Sequence, residues 1–173
     1  MNIICHIAGP SGSGKTTLLK KINELFPTII TKDLDEFDDE ASRVLGLDST
    51  KKKEWDNDDF KKLAQLRQKL MDDFIASQNN RPIVLGGFHT EDEFVLHIPT
   101  DSRFLLDVSA EESANRAYLR SRTEDAKFRR SIDDMSFDIA EAQKEIDFLV
   151  RNNYKKMSAD EIMEFIKTRI IVI

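Results

Sequence analysis

The stretch Gly9-Pro10-Ser11-Gly12-Ser13-Gly14-Lys15-Thr16 constrains this chain more than any other part of it. It takes three of the six glycines in 173 residues. Glycine is costly to order, so a cluster marks backbone that must bend sharply or lie close to something. Before the cluster, residues 3 to 8 read IICHIA, a short apolar run rich in β-branched residues, as in a buried parallel strand. After it, Leu18, Leu19, Ile22, Leu25 and Phe26 fall at helical spacing from Lys15 to about Phe26, and Pro27 ends that helix. The cluster fits G-x-x-x-x-G-K-[ST] at every fixed position, with the strand before it and the helix after it that this pattern requires. At average residue frequencies a chance match in a chain of this size is roughly a one-in-two-hundred event.

Such a loop turns successive N–H groups inward around phosphate oxygens, and the helix N-terminus adds partial positive charge. Lys15 is expected to reach the β- and γ-phosphates, and Thr16 to offer its hydroxyl to magnesium. Gly9, Ser11, Gly12, Ser13, Gly14 and Thr17 complete the expected nucleotide contacts. The expected ligand is a nucleoside triphosphate, taken as ATP with Mg2+.

The rest of the chain alternates. TIIT, residues 28 to 31, reads as a second strand and runs into the acidic KDLDEFDDE. Residues 40 to 55 carry no clear signal, and KKKEW reads as a solvated turn. Phe60, Leu63, Ala64, Leu66, Leu70, Met71, Phe74 and Ile75 mark an amphipathic helix started by DNDD. PIVLGGF and RFLLDVS read as the third and fourth strands. Ser109 and Glu112 form a capping-box pattern that starts a helix reaching about Arg122. Residues 123 to 136 are polar and basic, as in a flap or short helix. A helix near 137 to 145 leads to IDFLV, read as the fifth strand. Ser158 and Glu161 form a second capping box before a closing helix. This alternation implies one three-layer α/β/α domain over residues 1–173 on a parallel sheet. A lid-like segment at about 120–136 and an acceptor-side insert at about 36–75 are expected within it.

The net charge of -6 argues against a general affinity for nucleic acid. The apolar run at the start has no basic residues before it and is too short for a signal peptide or a membrane span. A soluble cytoplasmic protein without a membrane partner is expected. Cys5, in that apolar run, reads as a small buried hydrophobe. His6, inside the first strand, reads as a core histidine.

The donor leaves the acceptor open. The chain lacks the N-K-x-D and D-x-x-G signatures of a GTPase. The one candidate for the acidic strand end of a mechanical ATPase is Asp107 in FLLD, two residues before a helix cap, where a structural role is favoured. A small-molecule kinase needs carboxylates at the end of the second strand, basic residues on a lid and a pocket over the sheet. Asp33 and Asp35 alternate directly after the second strand, at the sheet edge where ligands of open α/β proteins bind. One can hold magnesium through water and the other can accept a proton from an attacking hydroxyl. Glu36, Asp38, Asp39 and Glu40 fit a solvated acidic turn. Arg116, Arg120 and Arg122 on the helix after the fourth strand, with Arg129 and Arg130 in the flap, can close positive charge over the phosphates and exclude water.

With these residues in view, the chain resembles the adenylate-kinase-like and shikimate-kinase-like group of P-loop kinases along nearly its whole length. GPSGSGKTT is similar to the group's ATP loop. RFLLDVSAEESANRAYLRSR resembles its fourth strand and following helix, which implies an ATP contact for Arg120. IDFLVRNN followed by SADEIMEFI resembles the last strand, adenine-side loop and last helix, which implies that Arg151, Asn152 and Asn153 lie near the adenine. The resemblance implies a five-stranded parallel sheet of order 2-3-1-4-5. LGGFHT is similar to the L-D-G-F-P-R-T of adenylate kinases, but Gly86 replaces the aspartate and the phosphate-holding arginine is missing. KDLDEF and the Gly-Gly after the third strand resemble shikimate and gluconate kinases, which implies a metal-side role for Asp33 and a hydroxyl contact for Asp35. Phe88 stands where shikimate kinases have a third glycine, so an acceptor other than shikimate is implied, with Phe88 and His89 in its pocket.

The reading is an ATP-dependent phosphotransferase acting on a small hydroxyl-bearing molecule, with Lys15, Asp35, Arg120 and Arg122 as catalytic residues and Thr16 and Asp33 on the metal. Two alternatives stand beside it. A nucleoside monophosphate kinase would need a second phosphate-binding arginine, such as Arg43 or Arg67, facing the acceptor. An ATP-binding switch or ATPase subunit would instead act on a macromolecular partner.

Overall fold

The computed structural model describes residues 3–48, 55–87, 98–123 and 130–170. In chain order the strands are β1 (Ile3–Ala8), β2 (Ile30–Asp33), β3 (Ile83–Gly86), β4 (Arg103–Leu106) and β5 (Lys155–Met157). The helices are α1 (Lys15–Leu25), α2 (Asp35–Leu45), α3 (Asn57–Ser77), α4 (Ala110–Arg120), α5 (Met135–Arg151) and α6 (Ala159–Ile170). All strand pairs are parallel, and their order is β2-β3-β1-β4-β5, as expected.

Alternation along the strands divides the core into two layers, because successive side chains of a strand point to opposite faces. Ile83, Leu85 and Leu105 face one cluster with Leu34, Phe37, Met71, Ile146 and Leu149, so α2, α3 and α5 cover that face. Val84, Phe104 and Leu106 face the other, with Leu18, Leu19, Ile22, Ile162 and Ile166, so α1 and α6 cover it. A register shift between Ile3 and Cys5, where β1 pairs with β3, lets Ile4 and Cys5 both join the second cluster. Cys5 is wholly buried, and burial pushes its thiol far above the ordinary range, so it is inert.

Local signals explain several element ends. Asp56 caps α3 by accepting from the backbone N–H groups of Asp58 and Asp59 at 2.8 Å each, while Asp59 accepts from the N–H of Asp56. Trp55 packs on Phe60 with ring centroids 5.3 Å apart, a staple across the start of the helix. Ser158 and Glu161 close the same kind of reciprocal box at α6. At α4 only half of the expected box forms: Ser109 accepts from Glu112 N–H, but the Glu112 carboxylate pairs with Arg116.

Three boundaries depart from the sequence reading. β2 lies two residues later than TIIT, which makes Asp33 its last residue, opposite Gly86. Residues 35–45 form α2, where Glu36 to Glu40 fitted an acidic turn and the stretch from residue 40 carried no clear signal; Asp35, Glu36 and Asp38 in its first turn complement the helix dipole. IDFLV is not the fifth strand. It is the last part of α5, where Ala142, Ile146 and Leu149 continue one buried helical stripe. The fifth strand is Lys155–Met157, whose two lysines are exposed on the sheet edge. Lysine is a common guard of an edge strand, and it gave no apolar signal to read. Among the described residues no helix is long and apolar enough to cross a membrane.

Candidate active site

The turn after β1 leads directly into α1. Gly14 caps the helix in the left-handed region and provides no side-chain cap, so the first N–H groups of α1 have no side-chain acceptor there. Gly12 packs against α4: a Cβ on it would come within 2.1 Å of the Ser113 carbonyl oxygen, so no other residue fits that approach. The Ser13 hydroxyl is buried in the loop without a partner among the described residues. Lys15 folds back over the loop and donates to the carbonyls of Gly9 at 2.6 Å and Pro10 at 3.1 Å. Burial lowers the pKa of its ammonium, while Asp35, Asp33 and Glu145 oppose that shift. An open N-terminus, an orphan hydroxyl and a cationic side chain resting on carbonyls form a cradle that suits phosphate.

Asp33 and Asp35 come to this cradle from the end of β2 and the start of α2. Thr16 donates its hydroxyl to Asp33 Oδ2 at 3.2 Å. Asp33 Oδ1 accepts from the N–H of Asp35 at 3.2 Å, which fixes the turn between them. Gly87 closes the wall from β3. Its φ of 108° lies in the left-handed region, and a Cβ there would press to 3.2 Å from Asp33 Oδ1. Beneath it, His6 Nε2 donates to the Gly87 carbonyl at 2.8 Å, and Nδ1 accepts from the Tyr154 hydroxyl at 2.7 Å. His6 is therefore a core histidine that braces the wall from below. The Thr16 hydroxyl and the Asp33 carboxylate are hard oxygen donors side by side, which fits magnesium held partly by protein and partly by phosphate.

Gly9, Ser11, Gly12, Gly14, Lys15, Thr16, Thr17, Asp35, Arg116, Arg120 and Glu145 line a cavity of about 430 Å³. Arg120, the last residue of α4, reaches across to donate to Ser11 Oγ at 3.2 Å. Arg116 lies one turn back and pairs with Glu112. Glu145, from α5, was absent from the sequence reading. Burial raises its pKa above the ordinary carboxylate value, against the pull of Lys15. A signal for it existed: it falls at helical spacing between Ala142 and Leu149 on the buried stripe, but it was hidden once IDFLV was read as a strand.

Other expected site residues lie elsewhere. Asn152 and Asn153 precede β5, so they sit at the amino edge of the parallel sheet, away from the turn after β1. This corrects their assignment to the adenine, because the strand taken to come before them comes after them. Asn152 caps α5, its side chain donates to the Phe148 carbonyl at 2.8 Å, and its own carbonyl accepts from Arg103 at 3.2 Å. Asn153 holds a left-handed turn with φ of 62°. Arg151 ends α5 and donates to the Asp147 carbonyl. Arg122 is exposed beyond α4 and is not part of the cavity wall. Arg130 pairs with Asp138 at 2.7 Å. Arg67 is buried on Asp38 at 2.9 Å, and Arg43 is exposed on α2. Phe88, His89 and Arg129 lie outside the described residues.

No protein-family model and no curated protein matches the sequence. Solved structures do match the fold. A shikimate kinase from Acinetobacter baumannii, in complex with shikimate, superposes with a TM-score of 0.56 at 17% identity, covering 99% of this chain and 93% of that one. A shikimate kinase from Bacteroides thetaiotaomicron gives 0.55 at 20% identity over 91% and 85% of the two chains. One from Aquifex aeolicus gives 0.53 at 17% identity, covering 99% of each. The chain has the fold of these P-loop kinases.

Proposed function

We propose that this chain is an ATP-dependent phosphotransferase that moves the γ-phosphoryl group of ATP to a hydroxyl of a small molecule, a nucleoside or another metabolite. The observation that carries this reading is the contact of Thr16 with Asp33 at 3.2 Å, on the rim of a cavity that the glycine-rich loop and Asp35 share. Its neighbours in fold are shikimate kinases, one of them bound to shikimate, which supports a small-molecule acceptor. Phe88, by the resemblance above, points to an acceptor other than shikimate.

In this reading the backbone amides of residues 12 to 16 bind the phosphates, and Lys15 leaves the carbonyls of Gly9 and Pro10 for the β- and γ-oxygens. Arg120 draws the loop toward α4 and spreads the charge that develops during transfer. Thr16 and Asp33 would hold magnesium, which would supply neutralising charge to the phosphates when bound. Asp35 orients the acceptor hydroxyl and receives its proton as the new O–P bond forms. Arg122 adds positive charge on the donor side, and the segment at about 120–136, of which residues 124–129 lie outside the described residues, is the expected lid. Residues 36–75 shape the acceptor side.

The test is ADP release from Mg–ATP against nucleosides, deoxynucleosides, nucleoside monophosphates, and sugar or cyclic acids. The expected result is stimulation by a compound without phosphate, with transfer abolished in Lys15→Ala. Stimulation by monophosphates alone would replace this reading with a nucleoside monophosphate kinase. ATP binding without any transfer would favour a switch with a macromolecular partner.

A further inference from the structure

We propose that nucleotide binding is completed by protonation of Glu145, whose carboxylate lines the same cavity as Lys15 and the glycine-rich loop. The inference rests on the phosphotransferase reading, through its donor site alone.

Glu145 shares the donor cavity with Gly9, Ser11, Gly12, Gly14, Lys15 and Thr16 of the glycine-rich loop. It also lines a second, small cavity of about 70 Å³ with Pro10, Ser11 and α4 residues, so its carboxyl lies between the loop and the helices behind it. Charges face it from every side. Lys15 comes from α1, Asp35 from α2, and Arg116 and Arg120 from α4. Arg130, just before α5, is shared with Asp138, and Glu141 lies one turn back on α5. Lys15 is the cation that most favours the ionised form, and Glu141 and Asp35 oppose it.

A triphosphate in this cavity changes both terms of that balance. It takes the Lys15 ammonium for its own oxygens, and it brings several negative charges within reach of the carboxylate while expelling water. Loss of an opposite charge, gain of like charges and desolvation all favour the neutral carboxyl. One proton, drawn from the buffer, neutralises Glu145 on binding and returns to the buffer on release. The neutral carboxyl can then donate a hydrogen bond to a phosphate oxygen. Because the bound state holds more protons, affinity rises as the pH falls, from alkaline conditions toward the ordinary carboxylate range.

The test is calorimetric titration of wild type and Glu145→Gln with the Mg2+ complex of the β,γ-imido analogue of ATP. Two buffers of different ionisation enthalpy are used at about pH 6 and again at about pH 8. The analogue's own titration is common to both proteins and cancels in the difference. The expected result is greater proton uptake by wild type at the lower pH. At the higher pH, Glu145→Gln should bind more tightly, by roughly tenfold for each pK unit that the nucleotide adds to Glu145. The pH profile of wild-type affinity gives a second reading that needs no variant. Equal proton counts and equal pH slopes in the two proteins would overturn the inference and leave the donor site standing. Failure of wild type to bind the analogue would overturn the phosphotransferase reading and this inference together.

Discussion

The two edges of the parallel sheet carry polar residues in different states. At the amino edge the polar groups answer one another. Arg103 donates to the carbonyls of Ile98 and Asn152, and the Asn152 side chain returns to Phe148. At the carboxyl edge, groups of opposite charge line one open cavity: Lys15, Arg116 and Arg120 beside Asp35 and Glu145. There a helix N-terminus lacks a side-chain cap and a buried hydroxyl lacks a partner among the described residues. A buried polar group left unpaired costs about 1–3 kcal/mol, so such groups persist where a ligand completes them. Satisfied polar residues are architecture, and unsatisfied ones that converge are a site.

Substitutions at the two edges should therefore separate activity from stability. The largest effect on turnover is expected at the carboxyl edge. Asp35→Asn should lower kcat by about two to four orders of magnitude if Asp35 takes the proton, with ATP affinity unchanged. A loss under about tenfold would remove Asp35 from that role. Arg67 offers a sharper contrast. Its part-buried pairing with Asp38 makes it structural, so Arg67→Met should cost about 1–3 kcal/mol in urea unfolding by removing that partner from the aspartate. An unchanged stability with a raised acceptor KM would instead make Arg67 an acceptor contact, as a monophosphate kinase requires.

Smaller effects belong below and behind the site. Tyr154→Phe leaves the Nδ1 atom of His6 without that donor and should cost about 1–3 kcal/mol, with kcat little changed. A fall in kcat without a stability change would show that the His6–Gly87 brace acts on Asp33. Asn153 occupies a left-handed turn that glycine adopts without strain, so Asn153→Gly should change stability by only a few tenths of a kcal/mol and leave ATP affinity intact. A loss of ATP affinity in that variant would return the amino edge to the nucleotide site.

The carboxyl edge was legible in the sequence because its chemistry is local. The glycine spacing, Lys15 and Thr16 lie within eight residues, and Asp33 and Asp35 follow a strand whose parallel neighbours could be counted. The parallel sheet followed from the same alternation, and its strand order from the family resemblance alone. The last third was less legible because its signals competed. IDFLV is apolar enough for a buried strand, yet Ala142, Ile146 and Leu149 keep helical spacing through it. The true edge strand, with Lys155 and Lys156, presents almost nothing apolar. That single exchange moved Asn152 and Asn153 to the wrong edge and hid Glu145, whose position depends on α5 running unbroken past the loop. The acidic run after Asp33 was misread as a turn for a related reason: carboxylates favour helix starts as well as turns, and only Phe37 and Ala41 betray the buried side of α2.

Hydrogen–deuterium exchange with and without the Mg2+ complex of the ATP analogue tests the central claim most directly, because it reads both edges at once. The account predicts that the nucleotide protects residues 9–17 and 33–35 and leaves residues 152–156 unchanged. Protection at 152–156 without protection of the loop would contradict it.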